Sequence, residues 1–157
     1  MTDYYSRTWE DGKFETKSDR EAEDLVKRTV EAAWGSTLVH YPDFKPIDFY
    51  VIEDDPNETE AFIEVKSRSV KSTKYPTVFL NARKYGNLMD RAREFKKPSY
   101  FFVVFQDCIK YINVELVDAS NNTIGGCNQI VKARNDIEIV IHVPIKEMET
   151  LEKCLAD

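Results

Sequence analysis

The chain has 157 residues, the size of one domain, and with 42% hydrophobic and 12% aromatic side chains it can bury a real core and is not a disordered tail. No apolar run approaches the roughly 18 residues a membrane span needs, and the polar stretch 1–14 lacks the apolar segment of a secretory signal. The net charge of −6 argues against a nucleic-acid partner until it is resolved along the chain.

In chain order, residues 1–17 read as an arm or loosely packed edge. A helix follows from about Asp19 to Trp34, with Ser18 or Asp19 as its cap. Ala22, Leu25, Val26, Thr29, Val30 and Ala33 form its apolar stripe, and Gly35 stops it. Thr37 to Tyr41 is a short strand candidate. Ile47 to Ile52 is a second strand carrying one acid, Asp48. The turn-forming cluster Asp54-Asp55-Pro56-Asn57-Glu58 separates it from a third strand ending in Ile63-Glu64-Val65-Lys66.

Residues 66–74 are a loop rich in Ser, Lys and Arg. Tyr75 to Leu80 leads into a helix over about 81–97, whose stripe is Ala82, Tyr85, Leu88, Met89, Ala92 and Phe95; Pro98 ends it. Tyr100 to Phe105 is apolar without alternation, as suits a central strand covered on both faces. Ile109 to Val117 is a further strand. Asn121-Asn122 and Gly125-Gly126 read as turns, Ile137 to Val143 alternates as a strand closed by Pro144, and 146–155 reads as a short terminal helix. This is a mixed-sheet α/β plan. The helix over 81–97 is expected to join the Glu64 strand to the Tyr100 strand in parallel, as a right-handed crossover.

A strand sends alternate side chains to one face, so Glu64 and Lys66 point together while Ile63 and Val65 enter the core. If the Asp48 and Glu64 strands pair as a hairpin, the two acids approach each other. Like charges facing across strands are destabilising, so something positive should sit between them. A divalent metal with a lysine beside it meets that need and suits phosphodiester hydrolysis. The charge distribution agrees. Residues 66–97 hold 10 Lys+Arg against 2 Asp+Glu, a net of +8, although a solvated basic helix face would look the same.

Taken together, an acid-bearing first helix (Glu21, Glu23), Pro46-Ile47-Asp48, Glu64-Val65-Lys66 and a polar second helix (Asn81-Ala82-Arg83-Lys84) resemble the PD-(D/E)xK nuclease superfamily. The order of helix, hairpin strands, helix and strand is that family's restriction-endonuclease-like core. Small phage nucleases and archaeal-type Holliday junction resolvases are similar in size and layout. The resemblance covers about residues 18–106 of a single domain, leaving 107–157 as a C-terminal meander and short helix. Here the Pro stands two residues before the acid rather than next to it, and Glu21 and Glu23 compete for one role, with Glu23 favoured by Val26 and Val30 on its face.

The resemblance implies that Asp48 and Glu64 hold one or two Mg²⁺ ions, with the Val65 carbonyl as a further ligand and Mn²⁺ as a substitute. The first-helix glutamate is an outer or direct ligand. Lys66 positions water or stabilises transition-state charge, and Lys84 contacts the scissile phosphate. Arg68, Lys71, Lys74 and Arg83 grip the DNA backbone. A homodimer with two sites on two strands is a further expectation.

Other engines have little support. His40 and His142 are isolated, and Gly125-Gly126 is not followed by the residues of a phosphate-binding loop. Cys108, Cys127 and Cys154 lack zinc spacing and read as reduced thiols, hence a cytoplasmic setting. The rival reading is a non-catalytic nucleic-acid-binding or assembly protein on the same fold, against which the intact Asp48/Glu64/Lys66 set argues.

Overall fold

A computed structural model of the chain describes residues 17–42, 47–126 and 137–153. The expected N-terminal arm, Pro46, Cys127 and Cys154 lie outside the described residues. The elements are α1 (Lys17–Trp34), β1 (Thr37–His40), β2 (Phe49–Ile52), β3 (Ala61–Ser67), β4 (Thr77–Asn81), α2 (Ala82–Phe95), β5 (Ser99–Val104), β6 (Cys108–Asn113), β7 (Asn122–Gly126), β8 (Ile137–Pro144) and β9 (Glu149–Lys153). No helix among the described residues is long and apolar enough to cross a membrane.

The central sheet runs β1-β2-β3-β5-β6-β9. β2 and β3 are antiparallel neighbours, Phe49 facing Ile63 and Val51 facing Ala61. β3 and β5 are parallel, with Glu64 beside Phe101 and Lys66 beside Val103, as a crossover through α2 requires. The sheet is thus mixed, and buried on both faces at its centre. Val26 and Val30 of α1 pack with Phe49, Val51, Ile63 and Phe102 on one side. Leu88 of α2 packs with Phe62, Phe101 and Val103 on the other. The alternation expected for Ile63-Glu64-Val65-Lys66 holds because Ile63 and Glu64 face these opposite sides.

The second face carries something the sequence pattern did not suggest, a separate three-stranded sheet in the order β4-β8-β7. The lead-in to α2 is β4, antiparallel to β8 with Leu80 opposite Ile141. Val78, Leu80, Ile141 and Val143 press this sheet onto the core. β4 runs straight into α2: Asn81 ends the strand, and its Oδ1 accepts from the Arg83 and Lys84 amides at 2.7 and 3.2 Å, capping the helix. At the other end Lys96 takes the left-handed conformation (φ 56) and donates its amide to the Ala92 carbonyl, so the stop comes before Pro98.

Four further expectations are corrected. Gly125 and Gly126 are not a turn; they pair with Glu138 and Ile137 in β7, because β8 needs a partner on its other edge. The strand expected over Ile109–Val117 ends at Asn113, whose side chain accepts from the Glu115 amide and starts a 3-10 turn over Val114–Leu116. The terminal helix is replaced by a 3-10 turn (Ile145–Glu147) and β9. Met148 and Leu151 have helical spacing, but the open edge of β6 offers a full row of backbone partners, while an isolated helix this short is marginal. Ser18, read as a cap, lies inside the first turn of α1.

The basic loop between β3 and β4 is tied at many points. The Arg68 amide donates to the Val104 carbonyl (2.9 Å), the Gln106 amide to the Val70 carbonyl (3.0 Å), and Gln106 Nε2 to the Ser69 carbonyl (2.8 Å). Ser72 donates both its amide and its hydroxyl to the Asp107 carboxylate, each at 2.8 Å. Burial alone would raise the Asp107 carboxyl, but the bonds from Ser72 outweigh it and hold it below the usual carboxylate range.

A carboxyl depressed in the folded state stabilises above its unfolded value, about 3.9, and that contribution is lost as pH falls through the folded value. Hydrogen exchange of the 68–74 amides is therefore expected to accelerate below about pH 4, on top of the intrinsic pH dependence. Asp107→Asn is expected to show the faster exchange already at neutral pH and to lose the acid dependence.

Candidate active site

β2 is antiparallel to β3, so the start of β2 lies at the same end of the sheet as the finish of β3. Asp48 immediately precedes β2, and continuing the register Phe49–Ile63 sets it opposite Glu64. Both carboxylates are buried at 4% exposure. Asp48 Oδ2 accepts the Val65 amide at 2.8 Å, so this side chain extends the ladder where the backbone pairing stops. The Asp48 carbonyl accepts the Tyr41 amide at 2.9 Å, fixing the same residue from the β1 side.

Glu64 faces α2, and its Oε2 accepts from Lys84 Nζ at 2.7 Å. Lys84 lies in the first turn of α2, where the Asn81 cap fixes the helix entry. The first turn of α1 reaches the same end, with Ser18 Oγ 3.4 Å from Ser67 Oγ. Two helix N-termini and the C-terminal end of β3 thus converge, and the positive ends of both helix dipoles lie on the side of the two acids.

Lys66 shares the face of Glu64. It has solvent contact along its length, yet burial is the main reason its ammonium is held below the ordinary lysine value. The Arg68 and Lys84 cations add to this, and Asp19 and Glu138 oppose it. Arg68 is likewise lowered, chiefly by burial, with Asp19 opposing. Glu138, on β8, also accepts from Asn81 Nδ2 at 2.6 Å. Cations and acids therefore interleave around this end of the sheet.

The two first-helix acids separate. Glu21 is exposed, whereas Glu23 is buried at 5% and its Oε1 lies 2.7 Å from His40 Nε2. His40 is at the end of β1, opposite Phe49, with its ring edge-on to Phe49 at 5.0 Å. This histidine, read as isolated from the sequence, connects α1 to the strand pair that carries Asp48. Its only sequence signal is its place at the end of a short strand. Among the described residues, no three His, Cys, Asp or Glu side chains converge as a metal centre by themselves. Asp48 and Glu64 face each other across β2 and β3, and Glu23 is held by His40 at the end of β1.

Lys71, Lys74 and Arg83 are exposed and Arg68 is partly buried. The first two ride on the tied loop and Arg83 on the first turn of α2. The donor set fits a small hard cation. It is all oxygen, two carboxylates with the Val65 backbone adjacent, and Mg²⁺ takes one or two carboxylates and fills its other positions with water and phosphate.

A family profile described as "Phage putative PDDEXK endonuclease" matches residues 10–151. No curated protein matches the chain. Among solved structures, Hjc of Archaeoglobus fulgidus, a Holliday junction resolvase from an archaeal hyperthermophile, superposes with a TM-score of 0.52 at 18% identity. The match covers 90% of this chain and 93% of that one. The likeness is one of fold.

The Lys84–Glu64 contact has a measurable consequence. Lys84→Ala removes a cation from a carboxylate that is only 6% exposed in its side chain, while Lys84 itself is 45% exposed, so screening discounts the loss. A destabilisation of about 1–2 kcal/mol in EDTA is expected, seen as a melting temperature lower by roughly 2–8 °C. Arg83→Ala, one residue away and exposed, is expected to leave it within about 1 °C.

Proposed function

The chain belongs to the phage PDDEXK endonuclease family, and on that footing we propose that it is a Mg²⁺-dependent deoxyribonuclease whose centre is Asp48, Glu64 and Lys66. The observation that carries this reading is the pair of buried carboxylates at one sheet end, with Lys66 on the face of Glu64. Asp48 and Glu64 are the residues that would hold the cation, with the Val65 carbonyl as a further oxygen. When bound, the cation supplies Lewis acidity at the phosphoryl oxygen and a lower pKa for its water.

The protein's own groups do the rest. The Val65 amide holds Asp48 in one rotamer, and Lys84 holds Glu64, so both carboxylates are preorganised before substrate arrives. Lys66 orients the attacking water or stabilises the charge that builds on the phosphate. Glu23, fixed by His40, serves as the outer first-helix acid, in preference to the exposed Glu21. Arg68, Lys71, Lys74 and Arg83 hold the phosphate backbone, an affinity without base readout. The likeness in fold to a Holliday junction resolvase favours branched DNA as substrate, and two copies of the chain would set two sites on two strands.

Cleavage of plasmid and four-way-junction DNA in Mg²⁺ or Mn²⁺, against EDTA, tests the reading. Asp48→Asn and Glu64→Gln are each expected to lower turnover by roughly 10²–10³-fold or more while the protein stays folded. Lys66→Ala is expected to lose turnover with little change in metal affinity measured by calorimetry. Wild-type turnover in either carboxylate variant, or metal-independent cleavage, refutes the assignment; tight DNA binding without cleavage by the wild type returns the rival binding-protein reading.

Salt dependence tests the docking face. Neutralising Arg68, Lys71 and Lys74 together is expected to reduce the slope of log K against log [salt] by up to about 3, at roughly 0.9 per phosphate contact. Preference among DNA sequences should stay as it was. An unchanged slope would make the block a solvated face.

A further inference from the structure

Beside the catalytic end lies a cleft of about 620 Å³ between the basic loop and strand β4, with His142 of β8 also lining it. Its volume is that of a small-molecule site, for which roughly 300–1,000 Å³ is usual. The floor is apolar and includes the buried Phe105. Two aromatic side chains on its wall are unusually open: Tyr75 is 56% and Phe79 44% exposed. His142 stands edge-on to Phe79, ring centroids 4.7 Å apart, and its Nε2 is 2.8 Å from Thr123 Oγ1, which fixes the ring plane. Lys74 Nζ lies 5.7 Å from the Tyr75 ring centroid. Arg68 and Lys71 form the cationic rim.

Single features of this kind are commonplace, but here they combine. An apolar cleft with aromatic rings on its wall suits a nucleobase, which offers a π-face whatever its identity. The cations on the rim suit the phosphates on either side of that base. Arg68 is also one of the charges felt by Lys66, so the rim of the cleft and the catalytic end share a residue. The cleft is preformed, since the loop that makes one wall is pinned to Val104, Gln106 and Asp107 and the other wall is a paired strand.

We propose that this cleft receives an unpaired base of the DNA strand being cut, stacked on Tyr75 and Phe79, while Arg68 and Lys71 hold its flanking phosphates. The inference rests on the nuclease reading and refines it. A base inside an intact duplex is stacked and paired, so the cleft favours substrates that present a free one, such as a bulge, a flap or a branch point. Specificity for distorted DNA would then arise from a stacking slot next to the scissile phosphate and need no sequence-reading contacts.

The test uses the full chain in EDTA, so that binding is read without cleavage. A duplex carries 2-aminopurine either in a one-nucleotide bulge or fully paired. The wild type is expected to bind the bulged duplex more tightly and to quench its fluorescence. Tyr75→Ala and Phe79→Ala are each expected to weaken bulge binding by roughly 5- to 100-fold, the loss of one base–aromatic stack, and to restore fluorescence. Affinity for the paired duplex should change by less than about twofold. Tyr75 is on the loop and more than half exposed, so Tyr75→Ala carries the test alone if Phe79→Ala melts early.

Equal losses on both duplexes, or no bulge preference and no quenching by the wild type, would overturn the proposal. Nicking of supercoiled plasmid in Mg²⁺ by the same proteins tests the nuclease reading separately. A wild type that nicks plasmid but ignores the bulge refutes the slot and leaves the nuclease standing.

Discussion

Two carboxylates buried side by side repel each other, and the sheet end described above is arranged around that fact. Asp48 accepts the Val65 amide and Glu64 accepts the Lys84 ammonium, so each acid is answered by a different donor on a different element. That division fixes much else. It requires β2 to start where β3 ends, which the antiparallel pairing provides. It requires α2 to begin at the same end, which the parallel placement of β3 and β5 imposes on the helix that joins them. Electrostatics sets the demand, and strand direction meets it.

The same end is reinforced from the other side of the sheet. α1 packs through Val26 and Val30, and its buried Glu23 meets His40 on β1. The basic loop, which from composition alone could be a floppy arm, is stitched to the end of β5 and to Asp107. A cationic segment held this way meets its partner with little conformational entropy left to lose, so its charge acts as a fixed field.

The sequence disclosed the central architecture because the relevant signals are local and strongly periodic. The stripe from Ala22 to Val30, the unbroken apolar run over Tyr100–Phe105 and the alternation at Ile63–Lys66 each reflect burial by a known neighbour, although Ala33, read as part of the same stripe, is exposed. What it hid depends on partners distant in the chain. Gly125-Gly126 looks like a turn until β8 is beside it, and the tail after Pro144 looks helical until the open edge of β6 claims it. The pairing of Glu23 with His40 was illegible because seventeen residues and a change of element separate them. Lys84 could be named from its place on the second helix, but its contact with Glu64 needed the cap at Asn81 to set the helix phase.

Asn81 has a further consequence, one of timing. Its side-chain Oδ1 caps α2, while its side-chain Nδ2 donates to Glu138 of β8, a strand that leaves the ribosome more than fifty residues later. β4 likewise finds its only described strand partner in β8. Contacts this distant in the chain carry a larger loop-closure cost than the local pairing of β1, β2 and β3. During synthesis, then, Asp48 and Glu64 emerge with β2 and β3, whereas β8, which carries the partner of the Asn81 side-chain amide, emerges only in the final quarter of the chain. A chain halted before β8 therefore carries both acids but lacks the Glu138 carboxylate that binds Asn81 at the start of α2.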